Sequence, residues 1–87
     1  MHEHSLMKDL MTKIETVVRN HNARKAVTID VWLGALSHMS PDHFTEHYEE
    51  SSKGTVAEGA KLNITLSDDI HDPNAQQILL RNIEVED

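Results

Sequence analysis

Val27-Thr28-Ile29-Asp30-Val31-Trp32-Leu33-Gly34 is the stretch on which the fold turns. Val27, Ile29, Val31 and Leu33 alternate with Thr28, Asp30 and Trp32, the two-residue period of a strand with one buried face. Gly34 punctuates the end of this first strand.

Upstream, Leu6, Leu10, Ile14, Val17 and Val18, with Met7 and Met11 alongside, fall on one helical face. The spacing predicts a helix from Ser5 to Asn22, with Ser5 as its cap and Asn20, Asn22, Arg24 and Lys25 around its end. Downstream, Ser40-Pro41-Asp42 combines a capping hydroxyl, a proline at the first helical position and an acid at the positive dipole end. A second helix is therefore expected over Pro41 to Ser52, with Phe44 and Tyr48 on its inner face and Gly54 closing it in the left-handed conformation. Leu62, Ile64 and Leu66 alternate with Asn63, Thr65 and Ser67 in a second strand, Lys61 to Asp68, and a third runs from about Gln77 to Glu86. Asp68 to Ala75, an acidic run with Pro73 and Asn74, reads as a loop joining the last two strands as an antiparallel hairpin.

The order α-β-α-β-β specifies an α+β fold, two helices on one face of a three-stranded sheet, with the other face partly open. Leu80, placed by this pattern on the outer side of the third strand, and Trp32 make the open face a candidate docking or homodimer surface. A solvated face with two scattered apolar residues accounts for them equally well.

With 87 residues the chain has room for one core. Eight basic residues against 15 acidic ones leave a net charge of −7, which repels phosphate backbones and anionic lipid, so neither nucleic acid nor membrane is an expected partner. Residues 1–20 carry charges inside every apolar stretch, unlike a signal peptide, and cytoplasmic residence is expected. The absence of cysteine excludes disulfides, thiolate metal sites and cysteine nucleophiles, so any metal must be held by nitrogen and oxygen. No glycine-rich phosphate loop or nucleophile elbow is present, and an enzyme is the weakest functional class.

Seven histidines stand out, and their placement matters more than their number. With His2 at the second position, the Met1 amine, the His2 amide and the His2 imidazole can close two fused chelate rings on one ion. The Glu3 amide completes four nitrogens in a plane, an arrangement that selects Ni(II) or Cu(II) over tetrahedral Zn(II) and hard Mg(II). Initiator methionine is removed when the following residue is small; His2 is large, so Met1 is expected to persist with its amine free. A solvated, frayed terminus is the ordinary alternative, against which stands the helix that begins immediately afterwards. On the second helix His43 and His47 have the i, i+4 spacing that sets two imidazoles side by side. A surface pair beside a hydrophobic seam is the plainer explanation, since no third ligand is evident. His38 lies in the turn after the first strand and is a candidate to approach the terminus, whereas His21 and His71 read as surface residues.

The opening Met1-His2-Glu3 with Ser5-Leu6, the turn Leu33-Gly34-Ala35-Leu36-Ser37, the run Gly54-Thr55-Val56-Ala57-Glu58-Gly59-Ala60-Lys61-Leu62 and the ending Leu80-Arg81-Asn82-Ile83-Glu84-Val85-Glu86 occur in the order found in one family. In these segments the chain resembles the HypA/HybF proteins that incorporate nickel during maturation of nickel-iron hydrogenase. The resemblance implies the same α-β-α-β-β arrangement, Ni(II) held by Met1, His2 and Glu3, and a HypB-like nickel GTPase and the hydrogenase large subunit as partners. Family members carry a zinc domain with two CxxC pairs between strands two and three, where this chain has only a short loop at about 68–75. A single nickel-binding domain over residues 1–87 without a zinc site is therefore expected, and loss of that module puts docking to the hydrogenase in question. The family often has Glu where Ala35 stands, and His4 and His38 are candidate additional ligands. The leading expectation is a nickel metallochaperone serving nickel-iron hydrogenase or another nickel enzyme. The alternative is a divergent interaction or scaffold module that no longer delivers metal.

Overall fold

The computed structural model describes residues 3–87, with side chains from Leu6 onward. Its elements are α1 (Glu3–Asn20), β1 (Lys25–Leu33), α2 (Pro41–Ser52), β2 (Lys61–Leu66) and β3 (Ile78–Glu86), the expected order. Two helices and a three-stranded mixed sheet form the α+β architecture that the patterning specifies. No helix among the described residues is long and apolar enough to cross a membrane.

Helix α1 starts at Glu3, two residues before the start expected at Ser5. Ser5 is inside the helix and cannot be its N-cap, because a capping residue must sit in extended backbone just ahead of the first turn. The other end comes at Asn20, two residues before the expected Asn22, because Asn22 serves in the closing turn instead. Asn22 is left-handed (φ 52°), and the amides of Asn22 and Ala23 donate to the carbonyls of Arg19 (3.0 Å) and Val18 (3.0 Å). That pair of bonds is the Schellman closure, with asparagine where glycine is most common. Met7, Leu10, Met11, Ile14 and Val18 are all buried, so α1 is rooted in the core from Met7 to Val18.

Helix α2 has the expected bounds. The Ser40 hydroxyl accepts from the His43 amide at 3.1 Å, Pro41 follows in the first turn, and Gly54 beyond the helix is left-handed (φ 77°). Phe44 and Tyr48 stack 6.3 Å apart on its buried face. The Tyr48 hydroxyl donates to the Ala57 carbonyl at 2.8 Å, fastening the run between α2 and β2 to the helix. Burial pushes the Tyr48 phenol up from 10.0 to about 12. Because the folded value exceeds the unfolded one, the benefit of the neutral phenol is complete below pH 10 and is lost as pH rises through 12. Stability is therefore expected to fall by about 1.4 kcal/mol per pH unit across that window from this group alone. Tyr48 is the only tyrosine, so tyrosinate absorbance reads it directly. In Tyr48→Phe the alkaline fall should flatten, while about 1–2 kcal/mol is lost at neutral pH because the Ala57 carbonyl loses its partner. A tyrosinate midpoint near 10 in the folded protein would contradict this account.

The sheet order is β2-β1-β3, with β1 parallel to β2 and antiparallel to β3. The expected β2–β3 hairpin is therefore absent; the two strands lie on opposite sides of β1. Two-residue and other short loops favour hairpins, whereas residues 67–77 are long enough to cross the end of β1. They are pinned there by Ser67 donating to the Leu33 carbonyl (2.9 Å), Gly34 to Gln77 (2.9 Å) and Leu36 to Ala75 (2.7 Å). The stretch 27–33, read from sequence as half-buried, is the central strand.

Two irregularities in the β1–β3 ladder correct the face assignments. Between Ala26 and Thr28 the register shifts past Val27, so Ala26 (1% exposed) takes the core position while Val27 is only half-buried. Between Asp30 and Val31 it shifts past Arg81, so Val31 pairs with Leu80 and Trp32 with Leu79. A bulge reverses which alternate residues face the core, and Leu80 packs inward with Ile78, Ile83 and Val85 instead of lying on the open face. The bulged Arg81 sets its guanidinium 5.4 Å from the Trp32 ring, and Asn63 donates to Asp30 at 2.8 Å. Polar and cation–π pairs thus occupy the face opposite the helices. Leu66, expected among the inner residues of β2, is 55% exposed at the end of this edge strand.

Candidate metal centre

Helices α1 and α2 both run opposite to β1. A short connection, residues 21–24, leads from α1 into β1, and α2 carries the chain back so that β2 can lie parallel to β1. Both helices therefore begin at the end of the sheet where β1 finishes. Leu6 and Leu10 there line a small cavity of about 130 Å³ with Val31, Ile78 and Leu80. The connection from β1 to α2 starts at Gly34, and His38 within it is exposed with left-handed backbone (φ 60°).

Of the terminal ligands expected from sequence, Met1 and His2 lie outside the described residues. Glu3 and His4 are described as backbone in the first turn of α1. Amides in a first helical turn have no intrahelical acceptor, so the Glu3 nitrogen is not committed to the helix ladder. His38 is at the same end of the sheet as this turn. Among the described residues no three or more His, Cys, Asp or Glu side chains converge to hold an ion. The remaining histidines are distributed as follows. The His21 Nδ1–H donates to the Val17 carbonyl at 2.9 Å, and His71 is exposed in the β2–β3 connection, its amide donating to Asp69. His43 and His47 come together, their ring centroids 4.6 Å apart and their planes inclined by 28°.

Acidity surrounds the second helix. Glu46, Glu49, Glu50 and Glu58 line an open depression with Lys53, and α2 itself contains no Lys or Arg. Sequence reasoning did not anticipate Arg81 as a partner for Trp32, since the bulge that places it depends on pairing with β1.

Residues 1–70 match the family described as hydrogenase/urease nickel incorporation, metallochaperone, HypA. The hydrogenase maturation factor HypA of Desulfitobacterium hafniense is 33% identical over 66 residues, covering 76% of this chain and 58% of the relative. That of Aquifex aeolicus is 37% identical over 62 residues, covering 71% and 54%. The chain spans a little over half the length of the curated relatives it matches. In three dimensions it resembles the solution structure of the Ni metallochaperone HypA from Helicobacter pylori, with a TM-score of 0.79, 18% identity and coverage of 99% of this chain and 98% of that one. The described family role is metal delivery, not catalysis. On the strength of the match over residues 1–70, this chain belongs to the HypA family.

Proposed function

We propose that this chain is a nickel metallochaperone of short form, which binds Ni(II) at its amino end and passes it to nickel-iron hydrogenase or another nickel enzyme. The ion is cargo. Its ligands are the Met1 amine, the His2 amide and imidazole and the Glu3 amide, with His4 and His38 available as further imidazoles. A HypB-like GTPase and the hydrogenase large subunit are the proposed partners, and the cytoplasm is the compartment. In place of a zinc module there is only the connection across the end of β1.

The observation that carries this reading is that the family match begins at residue 1 and so includes Met1-His2-Glu3. Two physical features support it. The buried stripe from Met7 to Val18 holds α1 against the core, and the proposed Glu3 donor is the first residue of that fixed helix. The absence of cysteine excludes thiolate donors, and a planar nitrogen set favours Ni(II) or Cu(II) over Zn(II).

The test is calorimetry and absorbance with nickel, comparing protein that begins at Met1 with a form extended before it. The expected result is a square-planar absorption band when Met1 carries the free amine and its loss on extension. Affinity should also fall with acid, because amine, amide and imidazole must all shed protons to bind. Affinity that is flat between about pH 5 and 8, or a band that survives extension, would count against terminal coordination. It would leave the divergent scaffold module as the better reading.

A further inference from the structure

We infer that His43 and His47 form a second, independent site for a borderline divalent transition ion, Cu(II) or Ni(II), on the outer side of α2. Their imidazoles already lie face to face at 4.6 Å, one helical turn apart, with His43 exposed and His47 half-buried. An ion bonded at about 2.0–2.1 Å to each nitrogen needs the two nitrogens about 3–4 Å apart. Because each lone pair lies in its ring plane, the rings must turn out of the stack to converge on one ion; the i, i+4 spacing that brings them to 4.6 Å permits this without moving the backbone.

The electrostatic setting decides between an idle pair and a site. A dication in the first turn of α2 meets the positive end of the helix dipole, which opposes it. Against this stand Asp42, Glu46, Glu49 and Glu50 on a helix without Lys or Arg, in a chain of net charge −7. Four like charges within three turns outweigh a partial dipole charge, and the field favours a cation. Among the described residues no third protein ligand converges on the pair, so water completes the coordination and the site exchanges its ion readily. Affinity should follow the order Zn(II) or Co(II) below Ni(II) below Cu(II).

The site does not depend on terminal coordination, and its test separates the two. Cu(II) and Ni(II) are titrated into full-length protein extended before Met1, and into the same protein carrying His43→Ala, His47→Ala or, as a control, His71→Ala. The parent and His71→Ala should bind with nitrogen coupling from two imidazoles in the Cu(II) electron paramagnetic resonance spectrum. Each α2 substitution should weaken binding by about tenfold or more, since removing an outer-shell partner alone costs that much. Metal should also raise the melting temperature of the parent and not of the α2 variants. Equal affinity in His43→Ala, His47→Ala and the parent would overturn the assignment. Loss of nickel binding in His2 variants of the unextended chain, or its persistence, bears only on the terminal site.

Discussion

Nickel affinity at the amino end is expected to drop by about 100-fold or more, equivalent to about 2.8 kcal/mol, when His2 is replaced. The imidazole is the donor that sheds its proton most readily near neutral pH, and it closes the second chelate ring. Without it the metal is anchored by the amine alone, and the amide nitrogens, which lose their protons only under the pull of a held ion, have no reason to ionise. Alanine is an ambiguous replacement, because a small second residue exposes Met1 to removal and would destroy the site twice over. His2→Gln keeps the second residue large and so isolates the imidazole. Absorbance titration of His2→Gln against the parent, both carrying His43→Ala to silence the second pair, reads the terminal site alone. An unchanged dissociation constant in His2→Gln would refute the proposed ligand set.

Gly34→Ala is expected to cost about 3 kcal/mol or more, a large share of the stability of a domain this size. A Cβ at Gly34 would lie 2.2 Å from the Ala75 carbonyl oxygen, 2.6 Å from its carbon and 2.7 Å from the Asn74 oxygen. All three are backbone atoms held by the bonds from Leu36 to Ala75 and from Gly34 to Gln77, so no flexible side chain can give way. Relief requires lifting residues 67–77 off the end of β1, which breaks both bonds. Gly54→Ala is the contrasting case: its Cβ meets nothing within 4 Å, and only the left-handed backbone (φ 77°) resists it. That change should cost about 1–2 kcal/mol. Urea unfolding of the two variants measures the difference, and a Gly34→Ala midpoint equal to or above that of Gly54→Ala would show the crossing to be loose.

What could be read from sequence was whatever local chemistry determines. Ser40-Pro41 starts α2 because capping acts within one turn, and Phe44 and Tyr48 fall on its buried face by helical period alone. The alternation from 27 to 33 identified a strand for the same reason. Gly54 is left-handed as expected but does not close the helix: Lys53 has already left it, and the Gly54 amide donates to Glu58. What was not legible depends on pairing between distant segments. No local signal tells that β2 and β3 flank β1 instead of joining, or that Val27 and Arg81 are extra residues in the ladder. Strict alternation therefore put Val27 inside in place of Ala26 and Leu80 outside in place of Leu79. The metal ligands divide in the same way. The His43–His47 pair was visible because i, i+4 spacing is a local rule. Any approach of His38 to the terminus is a tertiary matter, and Met1 and His2 lie outside the described residues.

The crossing of residues 67–77 over β1 has a consequence for how this architecture tolerates change. Its entrance, at Ser67, and its exit, at Gln77, are each tied to β1, through Leu33 and Gly34. Entry and exit are thus held as neighbours by the central strand, whatever runs between them. Lengthening a loop between fixed ends costs only about 0.6 kcal/mol per doubling. Residues 69–73 therefore form a splice point where material can be added or removed while the sheet keeps its register, provided the stretch around Ala75 still seats on Gly34.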